Sequence, residues 1–94
     1  MLCLVAFITP KQEFYQTAKQ AIVDILEVTR AEEGCITFWL HENQEENQLC
    51  LYEQFTSQEA LDEHYAKPYI KPVFEAYEAW LEKPVEITKL KLLG

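Results

Sequence analysis

Ninety-four residues suffice for one small domain with a modest core, and residues 1–94 are read as a single domain. Hydrophobic residues make up 49% and aromatics 13%, with two glycines and four prolines, which excludes a disordered segment or long linker. Sixteen acids against eight bases, a net charge of −8, give a surface that repels nucleic-acid phosphates and anionic lipid, so neither nucleic acid nor membrane is an expected partner.

Leu2 to Ile8 is an unbroken apolar run of strand formers, the pattern of a strand covered on both faces. It lacks a basic leader and stops at Thr9-Pro10, so it does not read as a signal peptide. Thr9 is positioned to cap a helix with Pro10 in its first turn. Phe14, Ala18, Ile22, Ile25 and Thr29 then recur at three- and four-residue steps, an amphipathic helix that Glu33-Gly34 stops.

Cys35 to His41 alternates as a strand, with Cys35, Thr37, Trp39 and His41 on one face and Ile36, Phe38 and Leu40 on the other. After a polar turn, Leu49 to Phe55 returns antiparallel, with Leu49, Leu51, Glu53 and Phe55 on one face and Cys50, Tyr52 and Gln54 on the other. Ser57 caps a short helix whose inner side carries Leu61, His64 and Tyr65. Pro68 interrupts, a second helix runs from Tyr69 with Pro72 in its first turn, and Pro84 ends it. Val85 to Leu93 is the last strand.

The order βαββααβ predicts an α+β, ferredoxin-like fold with an antiparallel sheet and helices on one face. The first three strands are apolar on both sides, so the second face of the sheet needs a cover, and a second copy of the chain is the expected one: a two-fold homodimer, sheet against sheet. Cys3, Cys35 and Cys50 lie in apolar runs without metal-ligand or CxxC spacing and read as core residues in a reducing compartment. No run approaches a membrane-spanning length, and a cytoplasmic protein is expected.

The candidate chemistry centres on Glu53 and His64. If the Glu53 face lies beneath the helices, an acid is held in apolar surroundings, where desolvation raises its pKa and suits it to proton transfer; the plain alternative is a strand-end acid reaching water. His64, on the inward stripe of its helix, could accept a phenolic proton or be satisfied by backbone carbonyls. Trp39, Tyr52, Tyr65, Tyr69 and Phe74 could line a slot for an aromatic substrate, against the alternative of ordinary core and dimer packing. His41, next to the polar turn, reads as exposed. No metal-ligand cluster and no GxGxxG, Walker, GxSxG or CxxCH motif is present, so no metal and no familiar cofactor is expected.

Glu33-Gly34-Cys35-Ile36, the hairpin ending Leu51-Tyr52-Glu53-Gln54-Phe55, and Ala60-Leu61-Asp62-Glu63-His64 followed by Lys67-Pro68-Tyr69 together resemble the antibiotic biosynthesis monooxygenase domain, and within it the quinol-monooxygenase-like members. The resemblance implies a dimeric α/β barrel of two ferredoxin-like subunits. It implies monooxygenation of small quinol or phenolic substrates by O₂ without flavin, haem or metal, with Glu53 and His64 in the catalytic positions and Trp39, Tyr52, Tyr65, Tyr69 and Phe74 against the substrate. Two departures stand out: Pro68-Tyr69 replaces the Pro-His of many relatives, and Leu2 to Ile8 lacks the Asn of haem-degrading ones. The same fold hosts small-molecule isomerases and ligand-binding or stress-response dimers without turnover, which are the alternatives to an oxygenase.

Overall fold

The computed structural model describes residues 1–94. Its elements are β1 (Leu2–Ile8), α1 (Tyr15–Arg30), β2 (Cys35–Asn43), β3 (Gln48–Phe55), α2 (Gln58–Tyr65), α3 (Lys71–Trp80) and β4 (Glu86–Leu90), with a short 3₁₀ turn at Gln12–Phe14. The four strands form one antiparallel sheet in the order β2-β3-β1-β4. This is the α+β, ferredoxin-like arrangement, with all three helices available to one face of the sheet.

β1 is central because it is apolar on both sides. Leu4, Ala6 and Ile8 point into the helix layer, where they join Phe38 of β2, Leu49, Leu51 and Phe55 of β3, and Ile22, Leu61 and Tyr77 from the helices. Alternation along β3 is strict: Leu49, Leu51, Glu53 and Phe55 are buried and their neighbours are not. The β2–β3 turn closes on Asn47, whose φ of 54° falls in the left-handed region that Asn tolerates.

Three features differ from the sequence pattern. Thr9 does not cap α1: its hydroxyl accepts from the Gln48 amide at 3.2 Å, Pro10 pairs with Leu81, and the α-helix starts only at Tyr15. The helix-end backbone is spent elsewhere, with Lys11 N–H donating to Trp80 C=O at 2.8 Å and Glu82 N–H to Thr9 C=O at 2.9 Å, which fastens the end of α3 to the entry of α1. β4 stops at Leu90, leaving Leu92 and Leu93 exposed.

The third difference is a β-bulge. Cys35 lies opposite Phe55 but Thr37 lies opposite Gln54, so Ile36 is an extra residue in β2. Strict alternation puts Cys35 with Thr37, Trp39 and His41; the bulge instead turns it to the helix side, where it packs on the core, and leaves Ile36 exposed. Beyond the bulge Phe38 lies opposite Glu53 and Trp39 opposite Tyr52, so Phe38 faces the helices and Trp39 faces away.

Candidate active site

A small, partly open cavity of about 30 Å³ lies between the inner face of the sheet and helices α2 and α3. Of its fourteen lining residues twelve are hydrophobic, among them Phe38, Leu51, Tyr65, Phe74, Tyr77 and Ile87, and the two others are Glu53 and His64. No Lys or Arg lines it.

Glu53 points inward for the same reason as Leu51 and Phe55: it shares their phase in β3 and sits across from Leu4 of β1 and Phe38 of β2. It is 4% exposed, and its carboxyl makes no hydrogen bond to any protein group, Oε1 being sealed from solvent. Burial, and secondarily the charge of Glu32, push its pKa up from the ordinary carboxylate range to about 8. The side chain is therefore mostly a neutral acid at pH 7, able to donate one hydrogen bond and to accept another.

His64 follows Leu61 by three residues and so lies on the same inward stripe of α2. Its ring sits among Phe38, Phe55 and Tyr65 at centroid distances of 5.6, 5.1 and 5.5 Å. Nδ1 is 3.0 and 3.1 Å from the two carboxylate oxygens of Glu32, with the two side chains 3% and 7% exposed. Nε2 hydrogen-bonds to no protein atom. The Tyr69 hydroxyl, from the turn between α2 and α3, donates to the same carboxylate at 2.5 Å.

Glu32 is the site residue that sequence patterning missed. It follows the α1 stripe and precedes the Glu33-Gly34 stop, where an acid reads as solvated turn material. Glycine is the signal that it is not. A Cβ at Gly34 would collide with the Ala60 side chain, so only glycine lets this turn press against α2 one helical turn before His64.

The aromatic candidates divide. Tyr65 and Phe74 line the cavity and meet edge to face at 5.5 Å. Burial, with the charges of Glu53 and Asp62, raises the Tyr65 hydroxyl to about 12. Tyr69 does not line the cavity and reaches it only through Glu32 and His64. Burial and its bond to Glu32 push its pKa up. Trp39 and Tyr52 are on the opposite face of the sheet, packed on each other at 6.1 Å, because their phase is the reverse of that of Phe38 and Glu53. Tyr77 is buried and also lines the cavity.

Cys35 is close enough to feel Glu32 and Glu53. Burial first, and then their charges, raise its thiol to about 11 against the opposing effect of Arg30, so it is not primed as a nucleophile. No cluster of three or more His, Cys, Asp or Glu side chains is arranged to hold a metal ion.

Sheet topology, buried acid and caged imidazole thus define a small α+β protein with a mainly apolar chamber under its helices. The profile of the family described as antibiotic biosynthesis monooxygenase matches residues 1–76, and the chain belongs to that family. It is 34% identical over 76 residues to "Putative monooxygenase Rv0793" of Mycobacterium tuberculosis, covering 80% of this chain and 75% of that protein. The solved structure of Rv0793 superposes with a TM-score of 0.93 over 99% of this chain and 95% of that one, at 28% identity. PA3566 of Pseudomonas aeruginosa superposes with a TM-score of 0.92 at 26% identity, over 99% of this chain and 94% of that one. A Synechocystis relative, "Uncharacterized protein sll1783", is 32% identical over 83 residues, which is 87% of this chain but 54% of that longer protein.

Proposed function

We propose that the protein is a cofactor-independent monooxygenase acting on small quinol or phenolic aromatic substrates, with Glu53 and His64 as its catalytic residues. One observation carries the reading: an apolar chamber whose two polar groups are the Glu53 carboxyl, with a buried oxygen that has no hydrogen-bond partner, and the His64 imidazole, held through Nδ1 by Glu32. Such a pair complements an aromatic ring bearing hydroxyl groups. A hydroxyl donates to His64 Nε2, and the neutral Glu53 carboxyl donates to a second oxygen. A phosphorylated substrate, as a small-molecule isomerase of this fold would take, is disfavoured because no Lys or Arg lines the chamber to meet its charge.

At about 30 Å³ the cavity has room for a water molecule but not for a ring, since benzene occupies an engineered cavity of about 150 Å³. Two open depressions of about 420 Å³ each adjoin it. Phe74, 37% exposed, belongs to the walls of all three. A substrate enters when Phe74 swings aside and joins the chamber to these depressions.

In the proposed reaction His64 Nε2 takes the proton of a substrate hydroxyl, leaving an electron-rich phenolate in a dry site. The phenolate passes one electron to O₂, and the resulting superoxide and semiquinone combine by forming a carbon–oxygen bond. Nε2 returns its proton to the peroxide, and Glu53 donates a hydrogen bond to it. The hydrogen on the oxygenated carbon then leaves as a proton while the O–O bond breaks, so the distal oxygen departs as water and the carbon becomes a carbonyl. Hydroquinone and O₂ give hydroxyquinone and water, the substrate supplying all four electrons.

The working form is a homodimer in this proposal. Trp39, 55% exposed, Tyr52 and Leu90 lie on a sheet face that no helix covers, and a second copy of that face is complementary to it. A monomer mass by light scattering at micromolar protein would contradict this. The three unpaired cysteines fit the reducing cytoplasm, where we place the protein. The oxygenase reading is tested by O₂ uptake of metal-free, flavin-free protein with hydroquinones and naphthols. Uptake above autoxidation that is lost in the folded E53Q/H64A variant supports it; no uptake with any of them refutes it.

A further inference from the structure

The half-buried chain Tyr69–Glu32–His64 ends at the cavity, and its hydrogen bonds have a direction. Tyr69 O–H donates to Glu32 Oε2 at 2.5 Å, and Nδ1 of His64 lies 3.1 and 3.0 Å from Oε1 and Oε2. A carboxylate only accepts, so in the neutral imidazole the proton belongs on Nδ1 and the lone pair on Nε2. The backbone fixes the donor of that carboxylate: Glu32 N–H donates to Thr29 C=O at 3.0 Å, Cys35 N–H to Glu32 C=O at 3.0 Å, and Thr56 N–H to Gly34 C=O at 2.9 Å. Phe38, Phe55 and Tyr65 hold the ring itself.

We propose that Glu32 is a positioning residue, anchored by Tyr69, that holds His64 in the Nδ1–H tautomer and so keeps the Nε2 lone pair turned to the cavity as the proton acceptor. The proposal rests on the reading of His64 as the base, but its first observable needs no turnover. E32A removes the only protein acceptor of Nδ1, so the neutral ring is free to place its proton on Nε2, the form favoured in water. E32Q keeps an oxygen within reach of Nδ1, since both carboxylate oxygens of Glu32 lie 3.1 and 3.0 Å from it, and the Tyr69 hydroxyl can pair with either end of the amide.

The experiment is ¹⁵N NMR of the imidazole nitrogens at a pH where the ring is neutral, with the exposed His41 assigned through H41Q. Expected are Nδ1–H in the wild type and in E32Q, and mainly Nε2–H in E32A. In turnover, kcat falls about a hundredfold in E32A with KM nearly unchanged, and is at least tenfold higher in E32Q than in E32A. Nε2–H in the wild type, or Nδ1–H retained in E32A, overturns the proposal. If E32A does not fold, the wild-type spectrum decides. The predicted tautomers in a protein that takes up no oxygen would uphold the positioning by Glu32 and remove the oxygenase reading instead.

Discussion

Replacing Glu53 by Gln isolates the cost of carrying a charge under the helices. The native carboxyl titrates at about 8 against an ordinary 4.5, because burial strips water from the anion and Glu32 adds repulsion. Between those values the folded protein holds a proton that the unfolded chain has released, so stability falls as pH rises, by about 1.4 kcal/mol per unit. The whole gap is worth about 5 kcal/mol, and the interval from about pH 5.5 to about pH 7.5 about 3 kcal/mol. Gln does not titrate, so E53Q lacks this loss. Urea unfolding of both proteins at several pH values and one fixed concentration measures it. The difference between the proteins at a single pH includes the unmet hydrogen bonds of the amide, but its change with pH does not. E53Q gains on the wild type by about 3 kcal/mol over that interval; stability curves that run parallel from pH 5.5 to 7.5 would refute the buried, neutral Glu53.

In the proposed reaction the same titration is expected in the pH–rate profile: turnover falls as pH rises through about 8, where Glu53 ceases to donate, and this alkaline loss is absent from E53Q, whose amide still donates. G34A forces the α1–β2 turn away from Ala60 and loses about 1–3 kcal/mol in denaturant unfolding, with the Glu32–His64 contact loosened. F74A removes the wall between the chamber and its neighbouring depressions, so kcat/KM for naphthols rises relative to that for hydroquinone; an unchanged ratio would exclude Phe74 as the gate. S57A deletes the hydroxyl that accepts from Ala60 N–H at 3.1 Å at the start of α2 and lowers stability by about 1 kcal/mol.

The architecture was legible because hydrophobic period reports directly which side of an element is buried. The two-step period of β3 carried Glu53 inward with Leu51 and Phe55, and the three-residue step from Leu61 carried His64 inward. The same alternation put Tyr52 and Trp39 on the outer face; reading them as substrate contacts weighed residue type over phase. The bulge at Ile36 was not legible, because one extra residue reverses the phase without changing composition, and Cys35 was assigned to the wrong face as a result. Glu32 was not legible either. Its partners are thirty-two and thirty-seven residues away, and no local period encodes a contact made by the packing of a turn against a distant helix.

Oxygen-isotope labelling of a single turnover most directly tests the central claim, that this chain's own Glu53 and His64 deliver a phenolate to O₂. Metal-free, flavin-free protein is mixed anaerobically with hydroquinone and exposed to ¹⁸O₂, and the product is analysed by mass spectrometry. One labelled oxygen is expected in the hydroxyquinone and the other in water, at a rate that H64A does not sustain. Unlabelled product, or labelled product at the same rate with H64A, would contradict it.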